Sequence, residues 1–107
     1  MTKKELISYW ISSSDKDFST MENLLKSQDN TWALFIGHLV IEKLLKAYYL
    51  KTVDDTPPYM HHLLRLAEKT DLPLSEVQKD SLILLTTFNI NARYPDYKQD
   101  FYKKLYG

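Results

Sequence analysis

Cysteine is missing from the 107-residue chain, which excludes disulfides and thiolate metal sites and makes a reducing cytoplasm the economical compartment. Glycine is nearly missing too: Gly37 and the terminal Gly107 are the two present, and no Asn-Gly or Asp-Gly pair offers a tight hairpin turn, which argues against a β fold. Net charge is absent, since 14 basic residues balance 14 acidic ones, so no global field draws in nucleic acid or an anionic membrane and any such contact has to be local. A neutral surface also lacks repulsion between copies, which makes self-association easier. Apolar runs such as Trp32 to Gly37 are far too short to span a bilayer, and the opening Met1-Thr2-Lys3-Lys4-Glu5 enters amphipathic sequence with no h-region, so neither a membrane anchor nor a secretory signal is expected. Common enzyme classes find no foothold: there is no Gly-rich phosphate loop, nucleophile elbow or paired catalytic carboxylate, and no DNA-binding motif.

What is present is helical. With 44% hydrophobic and 26% charged residues the chain has the balance of one folded domain, here residues 1–107, with no internal repeat and no low-complexity tract. Its four prolines, Pro57-Pro58, Pro73 and Pro95, divide it into long uninterrupted segments because proline breaks helix interiors. The Thr2-x-x-Glu5 pattern is a capping box for a first helix over 3–27, whose Leu6, Trp10, Phe18, Met21, Leu24 and Leu25 recur at helical spacing, with the serine patch Ser12 to Ser14 as the place for a kink. Asp29, Asn30 and Thr31 are capping candidates for a second helix from Trp32 to about Lys51, apolar almost all round and therefore central. A loop over 52–58 leads to a short helix from Met60 to about Lys69. Ser75-Glu76 opens a fourth reaching Ala92 or Arg93, and Tyr97 to Tyr106 forms a last one beyond the corner Arg93-Tyr94-Pro95-Asp96. The expected fold is all-α, an antiparallel up-and-down bundle of four to five helices.

Three strings carry a family resemblance: Ile41-Glu42-Lys43-Leu44-Leu45-Lys46-Ala47, His61-His62-Leu63-Leu64-Arg65-Leu66, and Asn91-Ala92-Arg93-Tyr94-Pro95-Asp96. In this order and spacing they resemble the HEPN family of small helical bundles. The resemblance implies a domain that commonly dimerises. It also implies a frequent pairing with a minimal nucleotidyltransferase in toxin and antitoxin modules. Other members are ribonucleases with an arginine followed, after four to six residues, by a histidine. Arg93 matches that arginine, but the histidine positions hold Lys98, Gln99 and Asp100. Lysine, mostly protonated at an ordinary pKa of about 10.4, is a poor general base, so the nuclease activity is not carried over and no catalytic residue is assigned. Members of the family continue through a longer terminal helix where this chain ends at Leu105-Tyr106-Gly107, so a shortened member or a truncated product is expected.

The candidate binding residues for a nucleotide or a partner are Arg93, Tyr94, Asp96, Tyr97, Lys98, Glu42 and Lys46. Arg93 offers a guanidinium fork suited to phosphate, or else it clamps Asp96 or Glu42 and fixes the corner. Tyr94, Tyr97 and Tyr102 are able to stack on a base, or bury their rings at the core edge or a dimer surface. His38, Glu42 and Lys46 stand at successive i,i+4 positions. This stripe is either a polar floor facing the corner or the solvent side of the second helix; Lys46 is read as a member of a surface pair, and Glu42 as a carboxylate needing a buried partner in so apolar a helix. His61 and His62, being adjacent, point about 100° apart and do not chelate one metal together, so no metal or cofactor is expected; one of them caps or packs against the proline loop.

The leading reading is a non-catalytic or degenerate member of that family, homodimeric, which binds a nucleotide, RNA or a partner nucleotidyltransferase through the Arg93 to Lys98 corner. Two alternatives stand beside it. One is a ribonuclease that pairs Arg93 with Lys98 or with a histidine brought in from His38 or His61, and the other is a helical protein-interaction module without a nucleotide.

Overall fold

Thr2 sits in an extended conformation and its hydroxyl accepts the backbone N–H of Glu5 at 3.1 Å, which satisfies one orphan donor and starts α1, Lys3–Lys26. The other half of the expected capping box differs: the Glu5 carboxylate takes the Thr2 hydroxyl proton at 3.0 Å rather than reaching back to a backbone donor. This computed structural model describes residues 1–53 and 56–93, with side chains through residue 88. The corner from Tyr94 to Asp96, Tyr97, Lys98, the expected last helix and the side chain of Arg93 therefore lie outside the described residues.

Three further helices follow: α2, Asn30–Thr52; α3, Leu63–Lys69; and α4, Glu76–Arg93. Among the described residues there is no strand, and the all-helical bundle expected from the sequence is the observed architecture. The second helix starts two residues earlier than expected, at Asn30, because α1 closes with Ser27 and Gln28 takes a left-handed φ of 62° that turns the chain at once. The third starts three residues later than Met60, because His62 is extended and its Nδ1 accepts the Arg65 N–H at 3.4 Å, placing the helix start after it. That cap is the role expected of one of the two histidines.

Helix α2 is the axis of the bundle, packed by α1 along one side and by α3 and α4 on the other. The α1–α2 pair is antiparallel: Ser14 Oγ donates to the Val40 carbonyl at 3.1 Å, and Lys43 binds Ser13 Oγ at 2.7 Å and Asp17 Oδ2 at 2.5 Å. Small residues let the two helices approach closely. Ser14 and Ala33 are each 1% exposed, and a methyl added at Gly37 would lie 3.3 Å from Met21 Sδ. The helix runs continuously through the serine patch, where Ser14 is the one buried residue of α1.

The apolar core lies on the other side of α2. Leu45, Leu63, Leu66 and Ala67 are buried together, with Ile41, Leu82 and Leu85 packed against them. Leu63 is fixed further by its backbone N–H, which donates to Thr86 Oγ1 of α4 at 3.2 Å. Between α2 and α4 an apolar trough of about 480 Å³ stays open, lined by Ile41, Leu44, Tyr48, Val77, Leu82 and Leu85 among others. No helix of the described residues is long and apolar enough to cross a membrane.

Candidate functional site

The polar stripe of α2 faces inward. His38 is completely buried, Glu42 is 5% exposed and Lys46 9%. The solvent-side reading is thereby overturned, and with it the surface pair expected for Lys46. The Lys46 ammonium reaches Glu42 Oε2 at 3.4 Å and lies 5.4 Å from the centre of the Trp10 ring of α1, so the four-carbon stem is covered by α1. In an antiparallel pair this close, the face of α2 that carries Lys46 is the face α1 covers.

Glu42 has the buried partner its surroundings require, and that partner is a histidine. His61 Nδ1–H donates to Glu42 Oε1 at 2.7 Å. The same residue is held a second time through its backbone, since its carbonyl accepts from His38 Nε2–H at 2.8 Å. Both oxygens of Glu42 are thus engaged, one by an imidazole and one by an ammonium. Charged groups withdrawn from water are tolerated only when paired and hydrogen-bonded in this way. The line continues from Lys46 to Trp10, whose Nε1 is buried and has no acceptor among the described residues.

His61 differs from the rest of the line in reaching the surface: its side chain is 28% exposed against 7% for Glu42. Beside it Tyr59 is 90% exposed, its ring edge-on to the imidazole at 5.3 Å between centroids. With Nδ1 committed to a carboxylate, the tautomer and orientation of the ring are set and Nε2 remains for other work. Among the described residues no group of three or more His, Cys, Asp or Glu side chains is placed to hold a metal ion.

Of the seven residues singled out in the sequence, the structure brings Glu42 and Lys46 together. The backbone of Arg93 ends α4, while Tyr94, Asp96, Tyr97 and Lys98 are not among the described residues. What the sequence reading missed is the Glu42–His61 pair. A signal for it existed: a carboxylate in an apolar helix demands a donor, and the segment between α2 and α3 carries two imidazoles, His61 and His62, able to supply one.

The fold and this line of side chains define a small helical bundle whose central helix carries an inward-facing ionic row. The chain belongs to the HEPN family: the model of the HEPN domain matches residues 7–105, nearly its whole length. Neither the comparison with curated proteins nor that with solved structures finds a match.

Proposed function

We propose that this protein is a degenerate, non-catalytic HEPN domain that acts as a homodimer and binds a nucleotide, RNA or a partner nucleotidyltransferase at the Arg93 to Lys98 corner. The observation that carries the reading is the composition of the corner within the matched segment: it keeps the arginine, but holds Lys98, Gln99 and Asp100 where the family's ribonucleases have their histidine. An arginine with neighbouring tyrosines and a lysine has the chemistry to hold a phosphate and a base, and it lacks a group suited to proton transfer near neutral pH. The open trough between α2 and α4, where Leu44 is 41% and Val77 75% exposed, supports a surface that a second protein chain covers.

Thermal shift with ATP and with a short single-stranded RNA tests the ligand half, because a ligand that binds only the folded chain raises Tm. The expected result is a rise with the wild type and none with Arg93→Ala; equal behaviour of the two proteins removes the corner from the account. Size-exclusion chromatography with light scattering tests the dimer, and a monomer at high concentration refutes it.

One observation favours a second reading, a ribonuclease with a histidine from elsewhere in the fold. His61, oriented by the Glu42 carboxylate, has the arrangement of an imidazole base. Cleavage of RNA by the purified protein, abolished in both Arg93→Ala and His61→Asn, would replace the binding reading by this one.

A further inference from the structure

One face of α2 is a seam. Leu34, Gly37, Ile41, Leu44 and Tyr48 recur at alternating intervals of three and four, the spacing that presents one continuous stripe to neighbouring helices. Helices α1 and α4 each pack on α2, yet among the described residues they do not pack on each other. Two helices that straddle a third in this way are the walls of a groove as wide as a fourth helix, with the seam as its floor.

Ile41 and Leu85 line both halves of this groove. The near half, of about 240 Å³, has Phe18, Met21 and Leu25 of α1 as one wall and Leu34 and Gly37 as its floor. Phe18 and Leu25 are nonetheless 47% and 48% exposed. The far half is the trough that Leu44, Tyr48 and Val77 line. Because Val77 shares a half with Tyr48, and Leu85 shares one with Leu34, α4 runs antiparallel to α2 and ends on the near side.

Reach and pattern select an occupant for the near half. Arg93 follows Leu85 by eight positions, about 12 Å along α4, and Val77 lies about another 12 Å beyond Leu85. The helix read in the sequence over Tyr97 to Tyr106 extends about 15 Å, enough to run back from Arg93 past Leu85 but not to Val77. In helical register Tyr97, Phe101, Tyr102, Leu105 and Tyr106 share one side, and Gln99, Asp100, Lys103 and Lys104 fall on the other. The tether decides between this segment and a separate molecule. Four positions from Arg93 to Tyr97 hold it at an effective concentration in the millimolar range, about a thousandfold above that of a second copy in a micromolar solution.

We infer that the near half of the groove is the seat of Tyr97 to Tyr106 of the same chain, with Phe101 and Leu105 set against Phe18, Met21 and Leu25. The seated helix closes a four-helix bundle over the α2 seam and leaves the far half, at Tyr48 and Val77, to another chain. The Arg93 to Lys98 corner is then a turn held at both ends, whatever it binds.

The absence of cysteine gives a clean background for a cross-linking test in the full chain. A disulfide forms only where two Cα atoms come within about 7 Å. Phe18→Cys combined with Leu105→Cys, oxidised at micromolar protein, is expected to give an intramolecular bond, seen as a monomer that migrates faster on a non-reducing gel. Leu105→Cys combined with Tyr48→Cys, at the far half, is expected to stay reduced. A disulfide-linked dimer as the main product of the first pair assigns the groove to a second copy, and thiols that stay reduced in it assign the groove to neither; both overturn the inference. Where the double variant fails to fold, Leu25→Ala decides in the otherwise unchanged chain. Leu25 and Ile83 are almost equally exposed, 48% and 46%, but Ile83 lines neither half of the groove. With the seat filled, Leu25→Ala lowers Tm by roughly 8 °C or more and Ile83→Ala by less than about 4 °C. Equal shifts refute the seat.

Discussion

Replacing Glu42 by alanine is the sharpest test of the inward-facing line. The perturbation strands the Lys46 ammonium, whose side chain is 11% exposed, with the Trp10 ring at 5.4 Å as its remaining electrostatic partner among the described residues. Breaking one partner out of a buried ion pair costs about 3–5 kcal/mol, because the charge left behind is neither solvated nor compensated. The aromatic ring offsets part of this, by at most about 0.5–2 kcal/mol, only to the extent that the ammonium settles closer to it once the carboxylate is gone. His61 also loses a charge-assisted hydrogen bond, a term near the low end of about 1.5–3 kcal/mol since its ring is 28% exposed and water replaces the carboxylate in part.

The net expectation for Glu42→Ala is a loss of about 3 kcal/mol, a large share of the roughly 5–15 kcal/mol that holds a domain together. In a chain of this size that lowers Tm by roughly 12–24 °C. Urea unfolding followed by far-UV circular dichroism reads it as a lower midpoint. A control is built into α4. Lys79 and Glu76 stand at the same N···O distance, 3.4 Å, but Glu76 is 87% exposed, so Glu76→Ala changes stability by under about 0.5 kcal/mol. If Glu42→Ala shifts the midpoint no more than Glu76→Ala does, the burial of the pair and every argument built on it are wrong.

Three further substitutions address packing and turns, each read by the same unfolding assay. Gln28→Gly relieves a left-handed φ of 62° just past the end of α1 and is expected to stabilise by about 0.5–1 kcal/mol; a loss would mean the glutamine side chain has a role there. Gly37→Ala gains about 1 kcal/mol of helix propensity and meets only Met21 Sδ at 3.3 Å, the movable part of a flexible side chain, so the net sign is stabilising, whereas a branched valine there is destabilising. Leu66→Ala opens a cavity at a position with no exposure and costs about 2–5 kcal/mol; a cost under about 1 kcal/mol would show that the core around Leu63 and Ala67 collapses into the gap.

Periodicity and proline carry most of what the sequence reveals about the fold. The run from Trp32 to Leu50, apolar at most of its positions, reads as the central helix, and it is the axis; Ser75-Glu76 opens α4 where expected, and Ser75 Oγ accepts the Gln78 N–H at 3.1 Å. The orientation of the His38, Glu42, Lys46 stripe was not legible, because an i,i+4 polar row in an apolar helix has the same pattern whether it points to water or to a neighbour. The packing of α1 over Lys46 and of the His61 segment over His38 and Glu42 decides it. Ser14 is a similar case: read along the chain it weakens a helical face, while in the structure its small size admits α2 and its hydroxyl finds the Val40 carbonyl, 26 positions away. Contacts of that range follow from how the helices dock and leave no local trace.

The inward line also poses a question that stability alone does not answer. A buried ion pair contributes little over a pair of well-packed apolar residues of similar volume, and replacing both partners at once is often neutral or favourable. Glu42→Leu combined with Lys46→Leu is therefore expected to lie within about 1 kcal/mol of wild type, far less destabilised than Glu42→Ala by itself. What the double variant removes is the acceptor that orients His61, because leucine offers nothing to Nδ1–H. If the line serves the fold, this protein behaves as wild type in every assay. If it serves to hold the His61 imidazole at the surface, the double variant folds normally yet loses as much of any RNA binding or cleavage as His61→Asn does, so stability and function separate in a single chain.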